Sequence, residues 1–307
     1  MMNPTIKGYL SVLSAALLWA SCGTAGKALF NAGMSPSLLV QTRVTLSAMI
    51  LLTLFAIRRP SLLRITLGDI KHLAIFGALF LALMQLSYFI AISKIHVAAA
   101  ILLQYLAPVL VACYSFLFWR EQVTRVKILA LFLSVSGCYL VVGGYDINLL
   151  RLNHAGIIWG VISALAFAST TLLGEKVLHR HNPWTVLTYG FLFSAMSLNL
   201  LFRPLGILSQ SYSALQWTAI LYIVIFGTLI PFGLYLTGVN FLRSTRTIIA
   251  ATLEPISAAF MAFILLSEAF EPLQILGGIS VILAIILLQR ERELDELSPE
   301  MIRNRKP

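Results

Sequence analysis

The stretch LEPISAAFMAFILLSE, residues 253–268, sets a carboxyl group, Glu254, beside Pro255 in an otherwise apolar run that closes on Glu268. A carboxyl buried in such a run can exchange a proton or pair with a cationic group of a ligand. In lipid its charge costs about 2.5–3.5 kcal/mol on insertion scales unless it is protonated, paired or solvated. Pro255 has no backbone N–H, which deprives the Ala251 carbonyl of its helical partner and loosens the turn beside the acid. Small residues (Ala250, Ala251, Ser257, Ala258, Ala262) share the face of Glu254, as expected of a helix pressed on neighbours or on a cavity. Glu254 is therefore the candidate coupling residue; the plainer reading is a buried pair with the other deep charge, Arg43, or hydrogen bonds to adjacent helices. For Arg43 a structural role is favoured over anion binding.

Other polar and aromatic residues fall at helical spacing within apolar runs. Trp159, Ser163, Thr170 and Gly174 share one face. Trp19 and Ser21, Gln85 and Tyr88, Gln104, and Tyr235 stand in four further runs. Amide and hydroxyl groups in lipid seek partners, so these side chains are expected to turn inward and outline a substrate cavity of mixed aromatic and polar character, although many will tie helices together. Such a cavity suits an amphipathic or aromatic small molecule better than a sugar phosphate or a bare ion.

The chain lacks the residues for several other chemistries. No GxxxxGK[ST] loop is present, so no ATPase module is implied. HExxH is absent, the five histidines lack metal-ligand spacing, and no serine–histidine or paired-aspartate constellation lies at membrane depth. Neither an enzyme nor a cofactor or metal is expected.

The elements that position these residues follow from composition. Of 307 residues, 59% are hydrophobic and 11% charged, against roughly half and a quarter in soluble domains. Ten apolar runs of about twenty residues, the length that crosses a roughly 30 Å hydrocarbon core, are predicted at 8–29, 37–57, 72–93, 97–118, 125–143, 155–175, 184–202, 215–236, 246–266 and 272–289. Strand-type alternation is absent, so the fold class is an all-α membrane protein. Seventeen of the 22 Lys and Arg residues fall on the side of the termini, four on the other, and Arg43 within a span. That bias predicts cytoplasmic termini, and it explains the formal charge of +10 without nucleic acid. Cys22, Cys113 and Cys138 all fall in spans, so no disulfide is expected. The tail, 290–307, reads as a polar, solvated cytoplasmic extension.

The chain also repeats itself. LAPVLVACYSFLFWRE, residues 106–121, matches the opening stretch with Ala107 at the place of Glu254. The offset of 147 residues that pairs Pro108 with Pro255 and Glu121 with Glu268 also pairs Tyr88 with Tyr235. It pairs Ser47-Ala48-Met49 with Ser194-Ala195-Met196 as well. Two five-span units, 8–143 and 155–289, are predicted, and because five is odd the second must cross in the opposite sense. Inverted repeats suit alternating access to a site at mid-membrane. Pro108 and Pro255 are the expected helix breaks, while Glu121 and Glu268, at opposite membrane surfaces, are expected to be solvated architectural charges.

The two proline-to-glutamate stretches, the following ILALFLSVSGCYLVVGG and ILGGISVILAIILL, Arg43 and the pair Arg58-Arg59 resemble the EamA family of the drug/metabolite transporter superfamily over about residues 8–289. The resemblance implies a ten-helix secondary transporter of the cytoplasmic membrane, exporting amino acids or related small metabolites, with a drug or quaternary-amine exporter as the alternative. A channel or non-transporting membrane protein is the remaining class. Partners are then a small-molecule substrate, possible coupling protons and the lipid bilayer; oligomeric state is open.

Overall fold

The computed structural model describes residues 3–122, 124–145, 153–204, 206–209, 211–266, 271–291 and 298–304. Among them the secondary structure is helical, with no strand. Eight helical stretches are long and apolar enough to cross a membrane. Large apolar side chains face outward along them, as at Ile57, Leu67, Leu200, Leu201 and Leu215. Water would not tolerate so much contiguous apolar surface, whereas hydrocarbon does.

In chain order, α1 (Pro4–Asn31) and α2 (Pro36–Arg58) begin with proline in the first turn under an Asn3 or Ser35 side-chain cap. The third stretch joins α3 (Leu67–Ala74) to α4 (Ala82–Lys94) through a π-helical segment, Ile75–Leu81. Next come α5 (Val97–Gln104), α6 (Ala107–Trp119) and α7 (Arg125–Val141). The second half opens with α8 (His154–Leu178) and α9 (Pro183–Leu201). Then α10 (Ala214–Val224), a π-helical segment Ile225–Leu229 and α11 (Ile230–Ala250) form one stretch, followed by α12 (Leu253–Leu266), α13 (Pro272–Arg290) and the short α14 (Pro299–Asn304).

Pairing between the halves is reciprocal. The helix α1 packs on α11 as α8 packs on α4, while α2 packs on α9 and α7 on α13. At the last of these contacts Gly137 and Gly277 oppose each other. A Cβ on either would lie 2.7 Å from the other's carbonyl oxygen, so only glycine permits this approach.

Several boundaries depart from the sequence expectation. The run 97–118 is broken: α5 ends at Gln104, and α6 restarts with Pro108 in its first turn, where a missing N–H costs nothing. The run 246–266 is broken at Ala251–Thr252, three residues before Pro255. No loop follows residue 236; α11 continues to Ala250 through a kink at Arg243, whose φ of 67° lies in the left-handed region. Glu175 stabilises that kink, accepting from the Arg243 Nε (2.9 Å) and the Ser244 backbone N–H (2.6 Å). The first half meets its own break, between α4 and α5, with the opposite charge. There Lys27 Nζ donates to the carbonyls of Ile92 (2.6 Å) and Ile95 (3.1 Å) at the carbonyl end of α4.

Three charge assignments change accordingly. Arg243 and Arg246, counted with the basic residues on the side of the termini, do not stand in a loop: both lie in α11, and Arg246 is buried and donates to the Leu288 and Glu291 carbonyls. Glu254 is joined by a second deep acid, Glu175, which is only 1% exposed. Glu121 is not solvated either. It pairs with Lys127 at 2.9 Å and accepts from Thr245 Oγ1 at 2.8 Å, joining the α6–α7 corner to α11. Glu268, the other glutamate expected at a membrane surface, lies outside the described residues. The tail also departs from a solvated extension at its end. There α14 docks on α8 and α11, and Arg303 Nη1 donates to the Leu178 carbonyl (2.9 Å), the His181 carbonyl (2.9 Å) and Asn240 Oδ1 (3.0 Å).

Candidate functional site

Where the halves meet, a cavity of about 50 Å³ is lined by Trp19 and Cys22 of α1, Arg43 of α2, and Met84, Gln85, Tyr88 and Phe89 of α4. Gln104 of α5, Phe167 of α8, Gly227, Phe232 of α11 and Glu254 of α12 close it. Half-loosened helices meet here. The π-helical segment Ile225–Leu229 contributes Gly227, and the break before Pro255 contributes Glu254. Both are irregularities that leave backbone and side-chain groups available for work other than regular helix.

Glu254 is 6% exposed, and Tyr105 Oη lies 2.9 Å from its Oε2. The same hydroxyl is 2.7 Å from the Ala251 carbonyl oxygen. That carbonyl is the one left without a helical partner by Pro255, and the Glu254 backbone N–H also donates to it at 3.0 Å. Tyr105 itself sits at the break between α5 and α6, so the breaks of the two halves touch through this one side chain. With a single proton to donate, Tyr105 satisfies one of its two neighbours fully at a time.

Of the two forms of the plainer reading of Glu254, the pair with Arg43 is not formed, whereas a hydrogen bond to a neighbouring helix, from Tyr105, is. Arg43, 3% exposed, donates through Nε to Thr228 Oγ1 (2.7 Å) and through Nη2 to the Gly227 carbonyl (2.8 Å), and its guanidinium lies 4.8 Å from the Phe89 ring centroid. The Nη1 end has no hydrogen-bond partner among the described residues. Gln85 Nε2 and the Tyr88 hydroxyl are buried without a partner, both on the cavity wall.

Of the remaining sequence candidates, Trp19 and Gln104 line the cavity, and Gln104 Nε2 donates to Ser163 Oγ at 2.7 Å. Ser163 therefore stands one bond behind the wall. Tyr235 is a support: its ring lies 5.3 Å from that of Trp19, and its hydroxyl is 2.7 Å from Thr171 Oγ1. Thr170 is buried on α8 outside the lining, Trp159 packs half-buried against the core, and Ser21 meets the Tyr222 hydroxyl. Sequence reasoning missed Tyr105, Cys22, Met84, Phe89, Phe167 and Phe232, since apolar and aromatic residues are common in every span. Tyr105 alone had a signal, its place three residues before Pro108. Among the described residues no cluster of His, Cys, Asp and Glu could hold a metal.

The EamA-like transporter family model matches the chain twice, over residues 6–143 and 154–290. The chain belongs to the EamA-like transporter family. Within it, an uncharacterized inner membrane transporter of Salmonella typhimurium, YicL, is 27% identical over 94% of this chain and 96% of its own. The threonine/homoserine exporter RhtA of Escherichia coli is 26% identical over 83% of each chain. A solved crystal structure superposes with a TM-score of 0.72 at 17% identity, covering 92% of this chain and 96% of that one, which shows a shared fold. Family membership makes the chain a multi-pass membrane transporter of the drug/metabolite transporter superfamily.

Proposed function

We propose that this EamA-family chain is a secondary active exporter of amino acids or related small metabolites, working by alternating access around the cavity between its halves. In this reading the ten apolar runs cross the cytoplasmic membrane as two inverted five-helix repeats with both termini in the cytoplasm. The double family match and the reciprocal helix pairing support the repeat. The observation that carries the function is a buried carboxyl, Glu254, at a broken helix on the wall of that cavity. One carboxyl group cannot hold a proton and a substrate ammonium together, so loading of one releases the other, and a proton gradient can drive the exchange. The name of RhtA favours amino acids as the cargo.

Saturable counterflow in proteoliposomes tests the reading, with threonine, homoserine and other amino acids preloaded and trace label added outside. Counterflow that is absent for the whole panel and for organic amines sinks it. A second reading, export of cationic amines, is favoured by the aromatic residues Trp19, Phe167 and Phe232 that share the cavity wall with Glu254. Arg43 on the same wall opposes it. A cationic dye that competes for the cavity while amino acids do not would establish that alternative.

A further inference from the structure

Two buried charges of opposite sign line the central cavity and are not paired with each other. Glu254 is engaged by Tyr105 on one oxygen, Oε2, and its Oε1 takes no hydrogen bond from any described residue. The opposite charge, Arg43, is fastened from behind by Thr228 and Gly227, so its orientation is set by the protein while Nη1 stays unengaged among the described residues. The amide of Gln85, 2% exposed, also leaves its Nε2 without a partner at the wall. An unsatisfied buried donor such as the Gln85 Nε2 is expensive to keep, which makes it a pointer to a group that arrives later.

Deepening the proposal of an exporter, and resting on it, we infer that the cavity binds a zwitterion lengthwise. Arg43, helped by Gln85, takes a carboxylate, the Glu254 carboxylate takes an ammonium group, and the rings of Trp19, Phe167 and Phe232 surround the remaining side chain. A cation alone would leave the Arg43 charge unanswered beside it, an anion alone would face Glu254, and a neutral apolar solute would leave both ions unpaired in a poorly hydrated space. Only a ligand carrying both charges completes both ends, through charge-assisted hydrogen bonds to a planar guanidinium and a carboxylate. Arg43 is thereby a specificity-determining residue, with Thr228 and the Gly227 carbonyl as its positioning groups.

The test is equilibrium binding to the purified full-length protein in lipid nanodiscs, read by tryptophan fluorescence. L-alanine, L-threonine and L-leucine are each compared with the corresponding amide, which lacks the carboxylate, and with the N-acetyl derivative, which lacks the ammonium. The unsubstituted protein is expected to bind at least one of the three amino acids at least tenfold more tightly than either derivative. In Arg43→Gln the preference for acid over amide falls to within twofold while the preference for free amine over N-acetyl persists; Glu254→Gln shows the reverse. An amide that binds the unsubstituted protein as well as its acid overturns the inference, as does failure of all three amino acids to bind. Because that comparison needs no variant, it decides even if a substitution prevents folding. Counterflow with the same ligands separates the two proposals. Amine transport indifferent to the carboxylate sinks the zwitterion site and spares the exporter, whereas tight zwitterion binding without any counterflow does the opposite.

Discussion

The hydroxyl of Tyr105 holds together the most loosened point of the molecule. It is within hydrogen-bond reach of the carbonyl that Pro255 leaves short of a partner and of the acid next to that proline. Removing it in Tyr105→Phe takes away the one donor these two acceptors share, leaving the Ala251 carbonyl with the Glu254 N–H alone and the carboxyl without its hydroxyl partner, a loss of about 1–3 kcal/mol. The expected outcome is a lower melting temperature in detergent and slower counterflow, both restored in part at best by ligand. The Gln104–Ser163 bond makes a gentler case. Ser163→Ala frees the amide without removing it, and Gln104 still has the cavity to turn into. A net loss of about 1 kcal/mol or less in stability is expected, with a measurable change in the affinity for transported solutes. A melting curve set beside a counterflow titration distinguishes these effects.

Among the elements, the broken helices matter most. At the kink in α11, the buried Glu175 holds the partly exposed Arg243 and the buried first amide of the segment that follows. Breaking a fully buried pair by removing one partner typically costs about 3–5 kcal/mol; with Arg243 partly exposed, Glu175→Gln is expected to destabilise the fold by less than that and to expose the kink. Thiol labelling of Ser244→Cys, with and without Glu175→Gln, measures the exposure; unchanged labelling would argue against a lock. Just past Glu175, at the C-terminus of α8, Arg303 ties α14 to carbonyls that a helix end leaves open. Arg303→Ala should release the tail and quicken its removal by a protease without lowering the melting temperature of the helical bundle. Opposite chemistry at the two helix breaks, a lysine on carbonyls in one half and a glutamate on an amide in the other, means that the halves are not interchangeable in energy even where their helices correspond.

On the scale of the whole molecule, the proposed inverted arrangement predicts that Arg64 and Arg203 lie in different compartments. Single cysteines at the two places, probed with an impermeant reagent in intact cells, should react from opposite sides; reaction of both from outside would undo the proposed topology. The helical spans and the helix breaks were legible along the chain. Apolar runs of membrane length reappear as helices, and the offset that pairs Pro108 with Pro255 reappears as two helices broken at corresponding places. The cavity was legible in part, because Trp19, Gln85, Tyr88, Gln104 and Glu254 are polar or aromatic interruptions that lipid would reject. Phe89, Phe167 and Phe232 were not legible, since a phenylalanine on a cavity wall and one facing lipid look alike in sequence.

Taken alone, then, the order of residues determined what depends on neighbours a few positions away and on the solvent: helical spans in lipid, the family, and the placing of one acid beside one proline. Tertiary structure decided everything that depends on partners a hundred or more residues distant. It set Tyr105 against Glu254, Thr228 against Arg43 and Thr245 against Glu121, and it turned expected loop charges into buried ties. The reason is physical. Hydrophobicity acts locally and survives as a pattern along the chain, whereas the partner that makes a buried charge tolerable is chosen by packing, which no linear spacing encodes.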